Sequence, residues 1–261
     1  MPDDPDFGTM RLDIGKGVPE TPKKKEPPRP VLKPGVKPQA PPPAGAKPAA
    51  PAPPAAKPPA APAPPTTTLT KPAGEIAKLF PLTEEGKKVL VDGMTVKVFI
   101  EALVKEKLFI DAIRVLGHAL PKREGVWWAC LCSRAVLGAD PAGPAGEALK
   151  IAQKWVQEPT EENRRPAMKA AEAAELGTPA GCAALATFWS GGSLGPPDVP
   201  VIPPAEHLTG HGASCAALLA AIHKEPAKAD ERYVQFLNDG IKVAEGANLW
   251  PGAPAPAPPK K

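Results

Sequence analysis

Apolar and polar positions follow a helical period along residues 73–250, whereas residues 1–72 have no such period. The clearest apolar stripe repeats in steps of three and four residues and has charged residues on the opposite side. It consists of Val96, Phe99, Ile100, Leu103 and Val104. This spacing is typical of an amphipathic α-helix that packs one face on a core.

Further stripes of this kind predict helices through the rest of the 73–250 segment. Pro121 and Pro179 stand where a helix tolerates proline at its start, and Pro159 ends a stripe. No stretch alternates with a period of two for long enough to predict a strand. We therefore predict an all-α fold, a compact array of about seven to nine helices joined by short turns. A solenoid of stacked helical hairpins is the alternative.

Two segments depart from the amphipathic pattern. Residues 126–137 (VWWACLCSRAVL) are apolar on all sides apart from Ser133 and Arg134, which predicts a helix at the centre of the core. Residues 191–205 (GGSLGPPDVPVIPPA) have no period and are rich in proline, which predicts an irregular extended loop. We call residues 191–205 the proline loop.

Composition divides the chain at the same place as the hydrophobic pattern. Of its 40 prolines, 22 lie in residues 1–72, 13 in 73–250 and 5 in 251–261. A segment made mostly of Pro, Ala and Lys buries too little apolar surface to offset the entropy lost on ordering. We predict a disordered Pro/Ala/Lys-rich arm (1–72), an all-α domain (73–250) and a disordered Pro/Ala-rich tail (251–261).

The formal net charge of +4 is also unevenly distributed, because the arm holds 11 Lys+Arg against 6 Asp+Glu and the domain 19 against 22. Binding of the arm to nucleic acid or an anionic surface, driven by counterion release, is one interpretation. The arm lysines are widely spaced, and no aromatic residue accompanies them between residues 21 and 72. These features favour the other interpretation, a linker that lysine keeps soluble and extended.

The cysteines and the first residues bear on the compartment. Cys130, Cys132, Cys182 and Cys215 lie in apolar stretches, which is typical of reduced core thiols rather than of a disulfide framework. The first residues are acidic and interrupted by proline, unlike a secretory signal, and no run of about 18 apolar residues exists to span a membrane. We expect a cytoplasmic protein.

The best candidate for chemistry is the set His207, His211 and Cys215. These residues are spaced as on one face of a helix, and imidazole and thiolate are zinc ligands. Gly210 and Gly212 weaken a helix at this point, and the sequence indicates no fourth ligand. No nucleophile elbow or phosphate-binding loop is present. We expect no enzymatic activity, no cofactor and no metal, with this set as the weak alternative.

Two other polar features have structural interpretations. His118 lies in an apolar helical stretch and is interpreted as a histidine near the core. The segment 161–165 (EENRR) is interpreted as the solvated start of a helix, since acidic residues suit a helix N-terminus. Asn163 is predicted to cap this helix, which would contain Pro166 in its first turn.

Trp127 and Trp128, next to Lys122 and Arg123, are the candidates for an interaction surface. Adjacent side chains on a helix point about 100° apart, so both rings are buried only if the helix is enclosed on two sides. If one ring is exposed, it forms an aromatic contact site beside two basic residues. The sequence therefore allows two interpretations of this pair, as core residues or as part of an interaction surface. Trp189 is a further interaction candidate.

Three sequence signatures indicate a family. They are residues 119–130 (ALPKREGVWWAC), residues 162–165 (ENRR) leading to 177–181 (GTPAG), and residues 188–193 (FWSGGS) before the proline loop. Together they resemble a bacterial family catalogued as domain of unknown function 6931, over residues 75–245. The resemblance implies no activity, cofactor or catalytic residue, and it implies a link to type VI secretion. Pro166 and His211 depart from the family's usual pattern.

Pattern and resemblance together predict a non-enzymatic helical module that binds a protein partner or acts as an adaptor. The arm would tether this module and raise the effective concentration of the partner. The alternative is a metal-binding or enzymatic domain that uses His207, His211 and Cys215.

Overall fold

The computed structural model describes residues 68–196 and 198–247, and these residues form eleven α-helices. The helices are α1 (Ala73–Ile76), α2 (Glu84–Val89), α3 (Val96–Lys105), α4 (Phe109–Ala119), α5 (Lys122–Leu137), α6 (Gly143–Gln157), α7 (Glu161–Arg164), α8 (Pro166–Ala173), α9 (Pro179–Phe188), α10 (Leu208–Ile222) and α11 (Ala229–Ala244). A 3-10 turn, Pro226–Lys228, precedes α11. No strand occurs in the described ranges, and the all-α prediction is confirmed.

Threonine side chains fix the start of four helices. Thr83, Thr95, Thr160 and Thr178 have extended backbones, and each hydroxyl accepts a hydrogen bond from the amide three residues further on. Pro179 follows Thr178 as the first residue of α9, as predicted. Asn163 is not a cap, contrary to the prediction, because Thr160 takes that place at the start of α7. The Asn163 side chain instead donates to the carbonyl of Glu158.

The folded domain extends further towards the N-terminus than predicted. Thr68 and Leu69 are buried, although the prediction placed them in the arm. Backbone hydrogen bonds join Leu69 and Lys71 to the first turn of α3, with N–O distances of 3.0 and 2.9 Å. The rest of the predicted arm, and the predicted tail at 251–261, lie outside the described residues.

Helix α10 occupies the middle of the array and contacts α4, α5, α9 and α11. Repeat units of a solenoid contact only their neighbours along the chain, so these long-range contacts indicate the compact array rather than the solenoid. The α10 sequence LTGHGASCAALLAAI is dominated by small residues, which allow neighbouring backbones to approach closely.

The closest approach is between α4 and α10. A Cβ atom added at Gly210 would lie 2.8 Å from the carbonyl oxygen of Gly117 and 2.9 Å from the Cα atom of His118. Gly117 in turn packs against the Ser214 side chain, so glycine is needed on both helices. A second close approach joins Gly212 of α10 to Ala186 of α9, where an added Cβ would lie 3.0 Å from the Ala186 Cα.

We expect Gly210→Ala to lower the free energy of unfolding by about 1–3 kcal/mol, because the added methyl group overlaps backbone atoms that cannot move independently. Urea denaturation measures the change. Gly74→Ala is the matched control, since a Cβ there meets no atom within 4 Å and alanine favours a helix. A Gly210→Ala chain as stable as the wild type would contradict the close crossing.

Candidate functional site

The two adjacent tryptophans lie in the core. Trp127 is 1% exposed and Trp128 is fully buried, because α5 is covered by α6, α9, α10 and α11. The Trp128 indole Nε1 donates to the backbone carbonyl of Phe236 in α11 at 2.8 Å. A Cβ atom at Gly240, one turn further along α11, would lie 2.8 Å from the same nitrogen. Of the two interpretations of this pair, the structure shows the core.

The basic neighbours of the tryptophans have different surroundings. Arg123 lies at the start of α5 and binds the C-terminal end of α6, where its Nε donates to the Val156 carbonyl at 2.5 Å and its Nη2 to the Gln157 carbonyl at 3.2 Å. Cations are favourable at that end of a helix. Lys122 is half-buried and lines a cleft described below.

The candidate metal ligands come together only in part. The Cys215 sulfur lies 3.7 Å from the His211 Nε2 atom, across one turn of α10. His207 is exposed and stands one residue before the first residue of α10. Within residues 68–196 and 198–247, no three His, Cys, Asp or Glu side chains are close enough to hold a metal ion. The helical spacing of the three residues therefore does not produce a three-ligand arrangement.

An arginine that the sequence places in a solvated segment is buried instead. Arg164, in α7, is 2% exposed, and its guanidinium forms a bidentate ion pair with Glu161, with N–O distances of 2.6 and 2.7 Å. The same group donates to the backbone carbonyls of Phe188 and Ser193 and lies over the Phe188 ring, 4.8 Å from its centroid. The interpretation of this segment as a solvated helix start is thus wrong for Arg164.

Glu161, Arg164 and Arg165 form what we call the arginine cluster. Arg165 also pairs with Glu161, at 2.7 Å, and its Nη1 donates to the carbonyl of Gly195 at 2.6 Å. The hydrogen bonds with Arg164 lower the pKa of the Glu161 carboxyl below its usual value. The cluster therefore joins α7 to the end of α9 and to the first residues of the proline loop.

Hydrogen bonds within the proline loop close it on itself. The Leu194 amide donates to the Ile202 carbonyl at 2.8 Å. The Ser193 hydroxyl accepts from the amides of Gly195 and Ile202, at 3.1 and 3.0 Å. Gly192 has a φ of 62°, and a Cβ there would lie 2.7 Å from the Arg164 Nη2 atom, so this position requires glycine.

Residues 199–202 of the proline loop expose apolar side chains. Val201 is 73% exposed, Ile202 53% and Val199 40%. Trp189, the remaining interaction candidate, is half-buried immediately before the loop, and its carbonyl accepts a hydrogen bond from Thr209 at the start of α10. The loop is thus fixed at its base and apolar at its surface. We call Val199, Val201 and Ile202 the exposed tip.

The family signatures coincide with these anchoring contacts. The ENRR signature supplies Arg164 and Arg165, and the FWSGGS signature supplies Phe188, Gly192 and Ser193. Sequence reasoning missed the contact because Arg164 was considered only with its charged neighbours. Its pairing with a Gly-Gly-Ser segment about 30 residues later was visible only as part of the family pattern.

His118 lies in a second feature, a cleft of about 430 Å³ between the start of the domain, the end of α4 and the starts of α5 and α10. The His118 ring stacks on Phe80 with 4.7 Å between centroids, and its Nδ1 is 2.8 Å from the Arg114 carbonyl. Its Nε2 is buried without a hydrogen-bond partner among the described residues. Burial lowers the pKa of His118 to about 4.

We expect Arg164→Ala to lower the free energy of unfolding by about 2–4 kcal/mol, because two carbonyls lose a charged donor and the cation–ring contact is lost. The proline loop should also be cleaved faster in limited proteolysis. Arg165→Ala is the control: its guanidinium is more exposed, so the loss should be about 1 kcal/mol or less. Equal effects of the two substitutions would contradict the assignment.

His118 should make the domain less stable in mild acid. Between pH 6.5 and about 4 the unfolded chain binds a proton on this imidazole that the folded chain does not, so stability falls as the pH falls through this window. Replacement by glutamine should remove about 3 kcal/mol of that decline. Urea midpoints at a series of pH values measure it, and parallel curves for the two chains would contradict the lowered pKa.

Comparison with known proteins supports the signatures. No curated protein and no solved structure shows significant similarity to this chain. A family model matches residues 99–244, from the middle of α3 to the last residue of α11. The match covers more than half of the chain and confirms the family resemblance of the three signatures. The chain belongs to the family of unknown function DUF6931.

Proposed function

We propose that the helical domain is a non-enzymatic protein-interaction or adaptor module of the bacterial cytoplasm, tethered through the Pro/Ala/Lys-rich arm. The observation that carries the proposal is the exposed tip on a loop that is fixed at its base. Apolar side chains at the surface of a soluble domain are unremarkable one at a time. Here three of them lie within four residues, on a segment held by a buried arginine.

A fixed loop is well suited to binding. Ordering a flexible loop on association costs conformational entropy, and this cost is reduced when the loop already holds its bound shape. Arg164 donates to the Ser193 carbonyl, and the Ser193 hydroxyl accepts from the amides of Gly195 and Ile202. The hydrogen bond from the Leu194 amide to the Ile202 carbonyl closes the loop. Val201 and Ile202 can then enter a partner's pocket with little loss of backbone freedom.

The charges beside the tip indicate the chemistry of the partner. Between Leu194 and Glu206 the chain carries two acidic residues, Asp198 and Glu206, and no basic residue. Both carboxylates are exposed. A complementary surface has an apolar groove for Val201 and Ile202 with basic residues at its border.

The arm adds a tether to the proposal, and the family resemblance adds a class of partner. As a long Pro/Ala/Lys-rich linker, the arm gives the module reach and raises the effective concentration of its partner. We place the partner among the components of a type VI secretion system. This placement rests on the family resemblance alone.

The experiment is a crosslinking pull-down with the full chain from a lysate of its source bacterium. Proteins retained by the wild type should be lost by about tenfold or more with the double variant Val201→Lys/Ile202→Lys, because each ammonium group is desolvated in an apolar groove and repelled by the basic residues at its border. Val91→Lys is the matched control, since Val91 is 58% exposed on the α2–α3 connection, and it should retain the same proteins.

Two results would count against the proposal. Retention of the same proteins by the double variant would overturn the assignment of the exposed tip. Mass spectrometry of the retained proteins tests the secretion link separately, and a set without any type VI component would overturn that link alone. Urea denaturation of each variant establishes that the domain is folded.

A further inference from the structure

The cleft beside His118 is basic at its rim and apolar at its floor. Lys71, Lys122 and His207 line it together with Ile76, Leu79 and Leu120, and Glu206 is its one acidic lining residue. We call it the basic cleft. Among the described residues, neither lysine forms an ion pair. The cleft therefore combines uncompensated positive charge with apolar surface.

Helix ends add to the positive potential at the basic cleft. Helices α5 and α10 both begin at its edge, with Pro121 and His207 as their preceding residues, and neither helix start has a side-chain cap. The N-terminal end of a helix carries a partial positive charge from its free amides. Glu124 in the first turn of α5 offsets part of that charge, whereas the first turn of α10 contains no acidic residue. Carboxylates in the cleft would thus meet the N-terminus of α10 as well as the lysine ammonium groups.

The chain contains a segment with the complementary composition. Residues 3–12 (DDPDFGTMRL) hold three aspartates and one arginine, Arg11, so their side chains carry a formal charge of −2, and they also hold Phe7, Met10 and Leu12. Phe7 is the only aromatic residue before Phe80. The aspartates suit the rim of the basic cleft, and the phenylalanine and methionine side chains suit its floor.

The position of the basic cleft favours this segment over one from another molecule. Thr68, the first described residue, itself lines the cleft, so the arm begins at the cleft's edge. The 55 residues 13–67 join the segment to that point. A linker of this kind keeps its two ends at an effective concentration on the order of millimolar, so even a weak contact is populated.

A second groove lacks the charge that would attract the segment. It lies between α2 and α3, has a volume of about 530 Å³, and is lined by Val89, Met94 and Leu108 among others. Its charged lining residues are two acids, Glu85 and Glu106, and two bases, Lys88 and Lys105. These charges balance, whereas those of the basic cleft do not.

We propose that the N-terminal segment 3–12 docks in the basic cleft of its own chain, with its aspartates on Lys71 and Lys122 and Phe7 on the apolar floor. The inference is independent of the proposed function, because none of the three residues of the exposed tip lines the basic cleft. It assigns the cleft an occupant that the chain itself carries.

Carbodiimide crosslinking of the full chain tests the docking, since this reagent joins a carboxylate directly to an ammonium group that contacts it. Peptides linking Asp3, Asp4 or Asp6 to Lys71 or Lys122 should dominate over links to Lys88 and Lys105. Phe7→Ala should lower their yield by about tenfold or more, because the apolar contact is lost. This substitution lies outside the helical domain, so the domain stays folded. Val31→Ala, which truncates an apolar side chain of the arm outside residues 3–12, is the matched control and should leave the yield unchanged.

The same experiment on an equal mixture of ¹⁴N- and ¹⁵N-labelled chains identifies the chain that supplies the segment. Links within one isotope are expected. Predominantly mixed-isotope links would overturn docking within the chain in favour of a second copy. Links from the aspartates spread evenly over all exposed lysines, or a yield unaffected by Phe7→Ala, would overturn the docking itself. Crosslinks to Lys71 or Lys122 that form only when an acidic partner protein is present would also overturn the docking.

Discussion

The fold depends on how closely helix α10 approaches its neighbours. Gly117 and Gly210 let the α4 and α10 backbones come together, and Gly212 does the same for α10 and Ala186 of α9. With α10 in this place, α5 is enclosed on several sides, and both Trp127 and Trp128 are buried. The start of α10 also sets the edge of the basic cleft and receives the end of the proline loop. Helix α10, which is rich in small residues, thus positions both the basic cleft and the proline loop.

The arginine cluster positions the proline loop, as α10 positions the helices around it. A buried guanidinium is unfavourable unless it is paired and its donors are satisfied. Arg164 meets both conditions through Glu161 and through the carbonyls of Phe188 and Ser193. Because these groups belong to two of the three signatures, the family pattern describes a way of holding the proline loop.

Sequence reasoning succeeded where the interaction is local. Helical periodicity and the Thr178-Pro179 pair predicted elements that the structure contains, because capping and amphipathicity act within a few residues. It failed where two distant segments meet. The burial of Arg164 depends on carbonyls 24 and 29 residues away, and the inclusion of Leu69 in the core depends on backbone bonds to α3. The spacing of His207, His211 and Cys215 similarly could not show that the three side chains do not converge on one point, although His207 stands next to the first residue of α10.

The contacts of the arginine cluster and of Ser193 should hold the proline loop rigid while its tip stays exposed. Hydrogen exchange of the full chain tests this directly, at the amides of Leu194, Gly195 and Ile202, which donate to the Ile202 carbonyl and the Ser193 hydroxyl. We expect these amides to exchange at least about a hundredfold more slowly than in an unstructured peptide, and the Val201 amide to exchange faster than they do. Exchange of all these amides at the rate of an unstructured peptide would contradict it.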